Sequence, residues 1–347
     1  MQHLVTRIRD ALARAWGCAV VVHRADPLIP VEDNYDRLHY SRDAVARDAR
    51  YTRYVTEHTL LRTHTTAMVP PLLRQISAQA SPDVLLVCAG LVYRRDAIDR
   101  LHTGEPHQLD LWRVRDRARL ATEDLHEMIR TVVDAALPGA AYRCNPTSHP
   151  YTTGGIELEV DAGGEWVEVG ECGLALPALL SECGLPSDRW SGLAMGLGLD
   201  RLFMLSKGID DIRLLRSADP RVATQMLDLS PYRAVSDQPA VRRDLSVAVA
   251  ASLTPEELGD RVRGALGDAA SSIESVQVLS ETPYDALPAA AVARLGMRAG
   301  QKNVLLRVTL RDLDRTLTHE EANQLRDAVY AAVHEGTEYT WASTTRS

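Results

Sequence analysis

Apolar residues return every fourth position through the start of the chain, at Leu4, Ile8, Leu12 and Trp16, with arginines between them. That spacing predicts one amphipathic helix over 1–16. From Ser81 to Asp96 an apolar, β-branched centre is bounded by turn residues, which predicts a strand, a tight turn and a second strand. The alternating segments Glu157 to Val160 and Trp166 to Val169 flank Asp161-Ala162-Gly163-Gly164 and predict a hairpin. Over Gly192 to Ser206, two glycines (Gly196, Gly198) precede a Leu199, Leu202, Leu205 stripe, so a strand is predicted to pass into a helix.

The pattern breaks between Asp219 and Tyr232, where Pro220, Pro231 and short polar residues interrupt it. Beyond the break, Leu245 to Ala250 and Asn303 to Leu310 read as strands. Thr254-Pro255 opens a helix to Leu266, and Thr318-His319-Glu320-Glu321 is a capping box starting a helix to about His334. Strand, helix, strand, helix with room for further strands describes a small α+β sandwich, its helices on one face of an antiparallel sheet. The expected division is a domain over 1–222, a linker over 223–231 and a smaller domain over 232–347. A length of 347 residues supports two cores.

Composition narrows the class. Hydrophobic residues make up 45% and charged residues 25%, which excludes disordered, collagen-like and disulfide-scaffold chains. The net charge is −8, so contact with nucleic acid needs a local basic patch rather than a global field. Five cysteines without paired spacing point to a reduced, cytoplasmic setting. No stretch approaches 18 apolar residues, so no membrane partner is expected.

Four segments carry dense chemistry, in a fixed order. They are Arg62-Thr63-His64-Thr65-Thr66; Tyr93-Arg94-Arg95-Asp96 running on to His102 and Glu105-Pro106-His107-Gln108-Leu109-Asp110; Trp166-Val167-Glu168-Val169-Gly170-Glu171-Cys172-Gly173; and Gly196-Leu197-Gly198-Leu199-Asp200-Arg201. Two fixed guanidinium groups beside a glycine-rich strand end suit the joining of a carboxylate to the α-phosphate of ATP, where two anions meet and charge spreads over phosphate oxygens.

In that order the segments resemble the phenylalanyl-tRNA synthetase family of class II aminoacyl-tRNA synthetases, whose R-T-H-T-S, V-Y-R-x-D/E, H-x-x-E-F-H-Q-x-E, W-L-E-V-x-G-C-G and G-x-G-x-E-R motifs they match. Residues 232 to 321 are similar to the ferredoxin-fold anticodon-binding domain of that family, in the single-chain layout of its organellar members. The resemblance implies an α+β fold, with an antiparallel sheet flanked by helices followed by a ferredoxin-like domain. It implies ATP and Mg²⁺, an amino acid and tRNA as partners, and a monomer or loose homodimer.

Residue by residue, the resemblance implies ATP binding by Arg94, Asp96, His102, Gly196, Gly198 and Arg201. Arg94 grips the α-phosphate, Arg201 grips the γ-phosphate and stacks on adenine, and Glu168 suits the metal. Thr66, Gln108, Asp110 and His64 surround the substrate's ammonium group. The side-chain pocket departs from the family. Where its members carry F-P-F-T-E-P-S, this chain has His149-Pro150-Tyr151-Thr152-Thr153-Gly154-Gly155, and Glu171 takes a glycine position beside Cys172 and Gly173; the resemblance implies that His149, Tyr151, Glu171, Cys172 and Gly173 line the substrate pocket. A carboxylate in an aromatic slot needs a partner; His149 or a polar substrate supplies it. The expected substrate is an amino acid with a hydrogen-bonding or cationic side chain, not unmodified phenylalanine.

The acceptor stays open between tRNA and a carrier, peptide or small molecule. A non-catalytic tRNA-binding regulator is the third reading, but it predicts loss of the phosphate arginines, and both are present. From Ser230 onward 13 Lys or Arg face 16 Asp or Glu, an acidic balance for an RNA-binding module, but Arg233, Arg242, Arg243, Arg307, Arg311 and Arg315 can form one stripe if the strands bring them together. Aromatic platforms for bases are limited to Tyr232, Tyr284, Tyr330, Tyr339 and Trp341.

Overall fold

The computed structural model describes residues 1–77, 82–94, 99–234, 238–312 and 315–339. They form two compact units. The first comprises Met1–Arg94, Glu105–Asp210 and Ser217–Tyr232; the second comprises Arg95–Gly104, Asp211–Arg216 and Arg233–Ser347.

In the first unit the strands are β1 (Ala19–His23), β2 (Leu28–Pro30), β3 (Thr59–Leu61), β4 (Asp83–Leu91), β5 (His107–Asp116), β6 (Tyr142–Pro146), β7 (Thr152–Asp161), β8 (Trp166–Ala175) and β9 (Trp190–Gly198). Seven of them make one sheet in the order β1-β4-β5-β9-β8-β7-β6. Only the edge pair β1 and β4 is parallel. The helices are α1 (Gln2–Trp16), α2 (Val31–Asn34), α3 (Val69–Ser77), α4 (Thr122–Ala136), α5 (Pro177–Glu182), α6 (Leu199–Lys207) and α7 (Pro220–Ala223).

The predicted first helix buries Leu4, Ile8 and Leu12, and it packs with α4. Residues of α3 and α5 close the part of the other face that carries Leu86, Trp112 and Ala194. The predicted hairpin joins β7 to β8, with Gly163 (φ 76°) and Gly164 (φ 101°) in the left-handed region that its tight turn demands. The predicted passage from strand to helix is β9 into α6.

Between Ser81 and Asp96 the expected pair of strands is instead one nine-residue strand, β4, running through Ala89 and Gly90. Gly90 is no turn residue. A Cβ there would overlap the Arg62 guanidinium, which donates to the carbonyls of Leu91 (2.8 Å) and Ala25 (2.9 Å). Replacing Gly90 with alanine is therefore expected to cost about 1–3 kcal/mol by overpacking, read as a lower urea midpoint with an unchanged m-value.

The segment Ser217–Tyr232 folds with the first unit. Lys207, fully buried on α6, donates to the carbonyls of Ser230 (2.5 Å) and Asp228 (3.1 Å) and lies 5.6 Å from the ring centroid of Phe203. One of the chain's two lysines and its single phenylalanine thus anchor this stretch.

The second unit holds β10 (Val241–Ala250), α8 (Pro255–Leu266), β11 (Ile273–Pro283), α9 (Ala289–Leu295), β12 (Gln301–Leu310) and α10 (His319–Val333). Its sheet is antiparallel in the order β10-β12-β11. Thr254 with Glu257 and Thr318 with Glu321 form reciprocal capping boxes for α8 and α10. These two helices pack together, and Leu258, Val262, Val329 and Val333 share a core with Val247, Leu306 and Val308.

The arginines that could form a stripe do not all share one face. Arg243 points to the helix side, where its Nε donates to Asn323 Oδ1 at 3.0 Å, because it alternates with Arg242 along β10. Arg307 is bidentate on Asp244 (2.8 Å twice), Arg311 pairs with Glu274 (2.6 Å) and Arg315 pairs with Glu321 (2.8 Å). Tyr330 is buried against His334, Tyr284 packs on the Leu295 and Met297 cluster, and Tyr339 is exposed. Trp341 lies outside the described residues.

Candidate active site

Register builds the site. Asp110 on β5 stands opposite Gly196 on β9, and Gly196 stands opposite Glu171 on β8, which in turn faces Glu157 on β7. Directly opposed residues share a face, so a row of carboxylate, glycine, carboxylate crosses the sheet. A Cβ on Gly196 would have only Asp110 Oδ2 nearby, at 3.7 Å, so the floor between the carboxylates is open. One step toward the strand ends, Gly198 stands opposite Gln108; one step the other way, Ala194 lies between Trp112 and Gly173.

Asp110 is nearly fully buried. It accepts hydrogen bonds from the hydroxyls of Thr65 (2.8 Å) and Thr66 (3.0 Å) and from Trp112 Nε1 (3.0 Å). Burial nevertheless lifts its pKa to about 6 against those donors. Gln108 Oε1 accepts from the Thr65 amide at 3.2 Å. Burial and the nearby Arg94 charge depress His64 to about 3, so its ring is neutral throughout the physiological range. The sequence-derived set Thr66, Gln108, Asp110 and His64 is brought together.

Arg94 leaves the C-terminal end of β4 through a bridge with Thr52, and its Nε donates to the Thr63 carbonyl at 2.8 Å. Arg201 leaves the C-terminal end of β9 in the first turn of α6. Strands β4 and β9 flank β5, about 10 Å apart by two strand spacings, and both guanidinium groups therefore rise from one end of the sheet. Arg201 Nη1 donates to the carbonyl of Glu168 (2.8 Å) and to its carboxylate (3.1 Å). Glu168, expected at the metal, is thus held by Arg201. Among the described residues no group of three or more His, Cys, Asp or Glu is placed to hold an ion. Asp96 lies outside the described residues. His102 groups with the second unit, its Nδ1 2.9 Å from the Asp99 carboxylate.

The side-chain half of the site is ringed by aromatics. Tyr151 lies 5.6 Å from His149 and 6.3 Å from both Tyr40 and Trp112, centroid to centroid, and Tyr40 stacks on His64 at 5.7 Å. Burial raises the phenol of Tyr40 to about 12 and that of Tyr151 well above its ordinary value. Glu171 is less buried than the sequence suggested, its side chain 39% exposed, and its Oε2 lies 2.6 Å from His149 Nε2. Gly173 shares this face. Cys172 does not: alternating with Glu171 and Gly173, it pairs opposite Met195 and points through the sheet. It is buried, and burial raises its thiol to about 12, so it is a core residue and not a pocket wall.

Four contributors escaped the sequence reading. Asn34 braces the Arg62 to Thr66 segment, its Oδ1 accepting from the Thr63 amide (3.1 Å) and its Nδ2 donating to the Thr63 hydroxyl (2.8 Å). Asp200, buried beside Arg201, accepts from the His107 amide and ties the start of β5 to α6. Trp112 holds Asp110, and Tyr40 stacks on His64. Asp200 lies inside a motif that had singled out its neighbour; the other three carry no local signal.

Fold and site together define a class II synthetase core followed by a ferredoxin-type domain. Residues 2–226 match the tRNA synthetases class II core domain (F), and the chain belongs to that family; residues 236–341 match the ferredoxin-fold anticodon binding domain. The chain is similar to the chloroplastic/mitochondrial phenylalanine–tRNA ligase of Arabidopsis thaliana, 29% identical over 320 residues, covering 87% of this chain and 68% of that one. It is similar also to the probable mitochondrial phenylalanine–tRNA ligase of Drosophila melanogaster, 27% identical over 370 residues, covering 90% and 77%. The phenylalanine–tRNA ligase alpha subunit of Prochlorococcus marinus (strain MIT 9313) is 36% identical over 192 residues, 55% of this chain; the match spans only 56% of the subunit. Among the described residues no helix is long and apolar enough to cross a membrane.

Proposed function

We propose that this chain is an ATP-dependent ligase that activates an amino acid as its aminoacyl-adenylate and transfers the acyl group to the 3′ end of a tRNA. In the first step a carboxylate oxygen of the amino acid bonds to the α-phosphorus of ATP, the bond to the β-phosphate breaks, and pyrophosphate leaves. In the second, a tRNA hydroxyl attacks the acyl carbon and AMP leaves. No covalent enzyme intermediate is needed. The single observation that carries this reading is the rise of Arg94 and Arg201 from one end of an antiparallel sheet whose floor is glycine.

Arg94 holds the α-phosphate and the substrate carboxylate, and Arg201 holds the γ-phosphate and stacks on adenine, using the planar fork that lysine lacks. Gly196 and Gly198 let ATP approach the backbone. Asp110, Gln108, Thr66 and His64 orient the ammonium group. Glu168, together with substrate phosphates, would hold magnesium, which takes one or two carboxylates plus phosphate oxygens and would supply charge neutralisation when bound. The catalytic domain is assigned to 1–222, the linker to 223–231, the tRNA-facing domain to 232–347, and the chain to a monomer or loose homodimer in the cytoplasm.

The side-chain pocket is assigned to a hydrogen-bonding substrate rather than unmodified phenylalanine, on the strength of the paired Glu171 and His149. A second reading keeps the adenylation but moves the acyl group to a carrier, peptide or small molecule. The pairing of Arg307, Arg311 and Arg315 with carboxylates in the second unit favours it. Pyrophosphate exchange across an amino-acid panel tests the activation, and acylation of total tRNA separates the acceptors. Robust exchange with phenylalanine alone would remove the polar-pocket assignment.

A further inference from the structure

Two buried polar side chains on the site face lack a hydrogen-bond partner: His64, at both ring nitrogens, and Thr152, at its hydroxyl. Thr152 is 8% exposed. It opens β7 opposite Ala175, which puts it on the same face as Gly173 and Glu171. A Cβ on Gly173 would stand 2.8 Å from Thr152 Cβ and 3.0 Å from its Oγ1, so the hydroxyl lies against the pocket's glycine wall. A buried hydroxyl left unpaired is unfavourable; a ligand that bonds to it recovers that loss.

Asp110 and Glu171 sit on the two strands flanking β9, both in register with Gly196. They leave space for one small ligand with a donor at each end. Asp110 takes the α-ammonium. Glu171 already contacts His149 through Oε2, so its other oxygen can accept one more hydrogen, and a neutral hydroxyl or amine supplies it without setting a second cation-forming nitrogen base beside the imidazole. The rings of Tyr151, Tyr40, Trp112 and His149 favour a flat side chain.

We propose that the pocket selects an aromatic α-amino acid bearing a neutral hydrogen-bonding group on its ring, a hydroxyl or an amine, with Glu171 accepting its hydrogen and Thr152 as a specificity-determining residue. This rests on the amino-acid-activating reading above. The test is calorimetric titration of the full chain with phenylalanine, tyrosine, 3-hydroxyphenylalanine, 4-aminophenylalanine and lysine, with pyrophosphate exchange run on the same panel. A ring-donor amino acid is expected to bind at least about 10-fold more tightly than phenylalanine or lysine, and Thr152→Val is expected to shrink that preference about 5-fold or more. Phenylalanine or lysine binding as tightly as the ring donors, an unaltered preference in Thr152→Val, or binding of none of the five overturns the proposal. Tight ring-donor binding without exchange upholds it and overturns adenylation; exchange with phenylalanine alone does the reverse.

Discussion

Arg201→Ala is expected to lower amino-acid-dependent pyrophosphate exchange by about 10³-fold, and Arg94→Ala by a similar factor, because each removes a fixed guanidinium from phosphates on which charge builds in the transition state. The two variants should differ in kind. Arg94 is assigned to both reacting groups, so its loss falls mainly on kcat; Arg201 holds a phosphate that does not react, so its loss also raises KM for ATP. Lysine at 201 restores charge without the planar fork and should recover only part of the loss. The Arg201–Glu168 pair is partly exposed, and such pairs contribute about 1 kcal/mol or less to stability. An Arg201→Ala enzyme with full exchange activity refutes the assignment.

Asp110→Asn is expected to separate stability from activity in opposite directions. Removing a buried carboxylate from a charge-assisted contact costs about 2–5 kcal/mol in binding, which corresponds to a loss of about 30- to 5000-fold in kcat/KM for the amino acid. For stability the sign is reversed. The folded pKa of Asp110 is raised to about 6 from an ordinary 3.8, so the folded state binds its proton more tightly than the unfolded chain does. The stability this provides is present in acid and lost as pH rises from about 4 to about 6. Above that, ionised Asp110 costs about 2–3 kcal/mol, and asparagine relieves it. Chemical denaturation at pH 8 should find the variant no less stable than the parent, with its relative advantage vanishing near pH 4. In the parent enzyme, kcat/KM for the amino acid should fall as pH drops below about 6, when Asp110 takes up a proton and loses its hold on the ammonium. A flat profile between pH 5 and 8 would contradict this role.

Local signals carried much of the fold. The four-residue spacing of Leu4, Ile8 and Leu12, the Asp161 to Gly164 turn and the caps at Thr254 and Thr318 each act within a few residues of themselves, and each element formed where its signal lay. Gly90 misled because a glycine in an apolar strand reads alike whether it turns the chain or admits a distant side chain; only the packing of Arg62, 28 positions earlier in the chain, separates the two. The substrate half of the site depended on strand register. Asp110, Gly196 and Glu171 come from three segments of the chain, and no spacing within one segment sets them in a row. Cys172 was misplaced for the same reason: its motif marks a neighbourhood, while alternation along β8 decides which neighbours face the substrate. Trp112 and Tyr40, which hold Asp110 and His64, look like ordinary core aromatics until the cleft is assembled around them.

A crystal structure of the full chain with a non-hydrolysable ATP analogue and magnesium tests the arrangement most directly. The triphosphate should lie at the C-terminal ends of β4 and β9, with Arg94 on the α-phosphate, Arg201 on the γ-phosphate, and the nucleotide over Gly196 and Gly198. A nucleotide bound elsewhere on the first unit, or phosphates touching neither guanidinium, would contradict it.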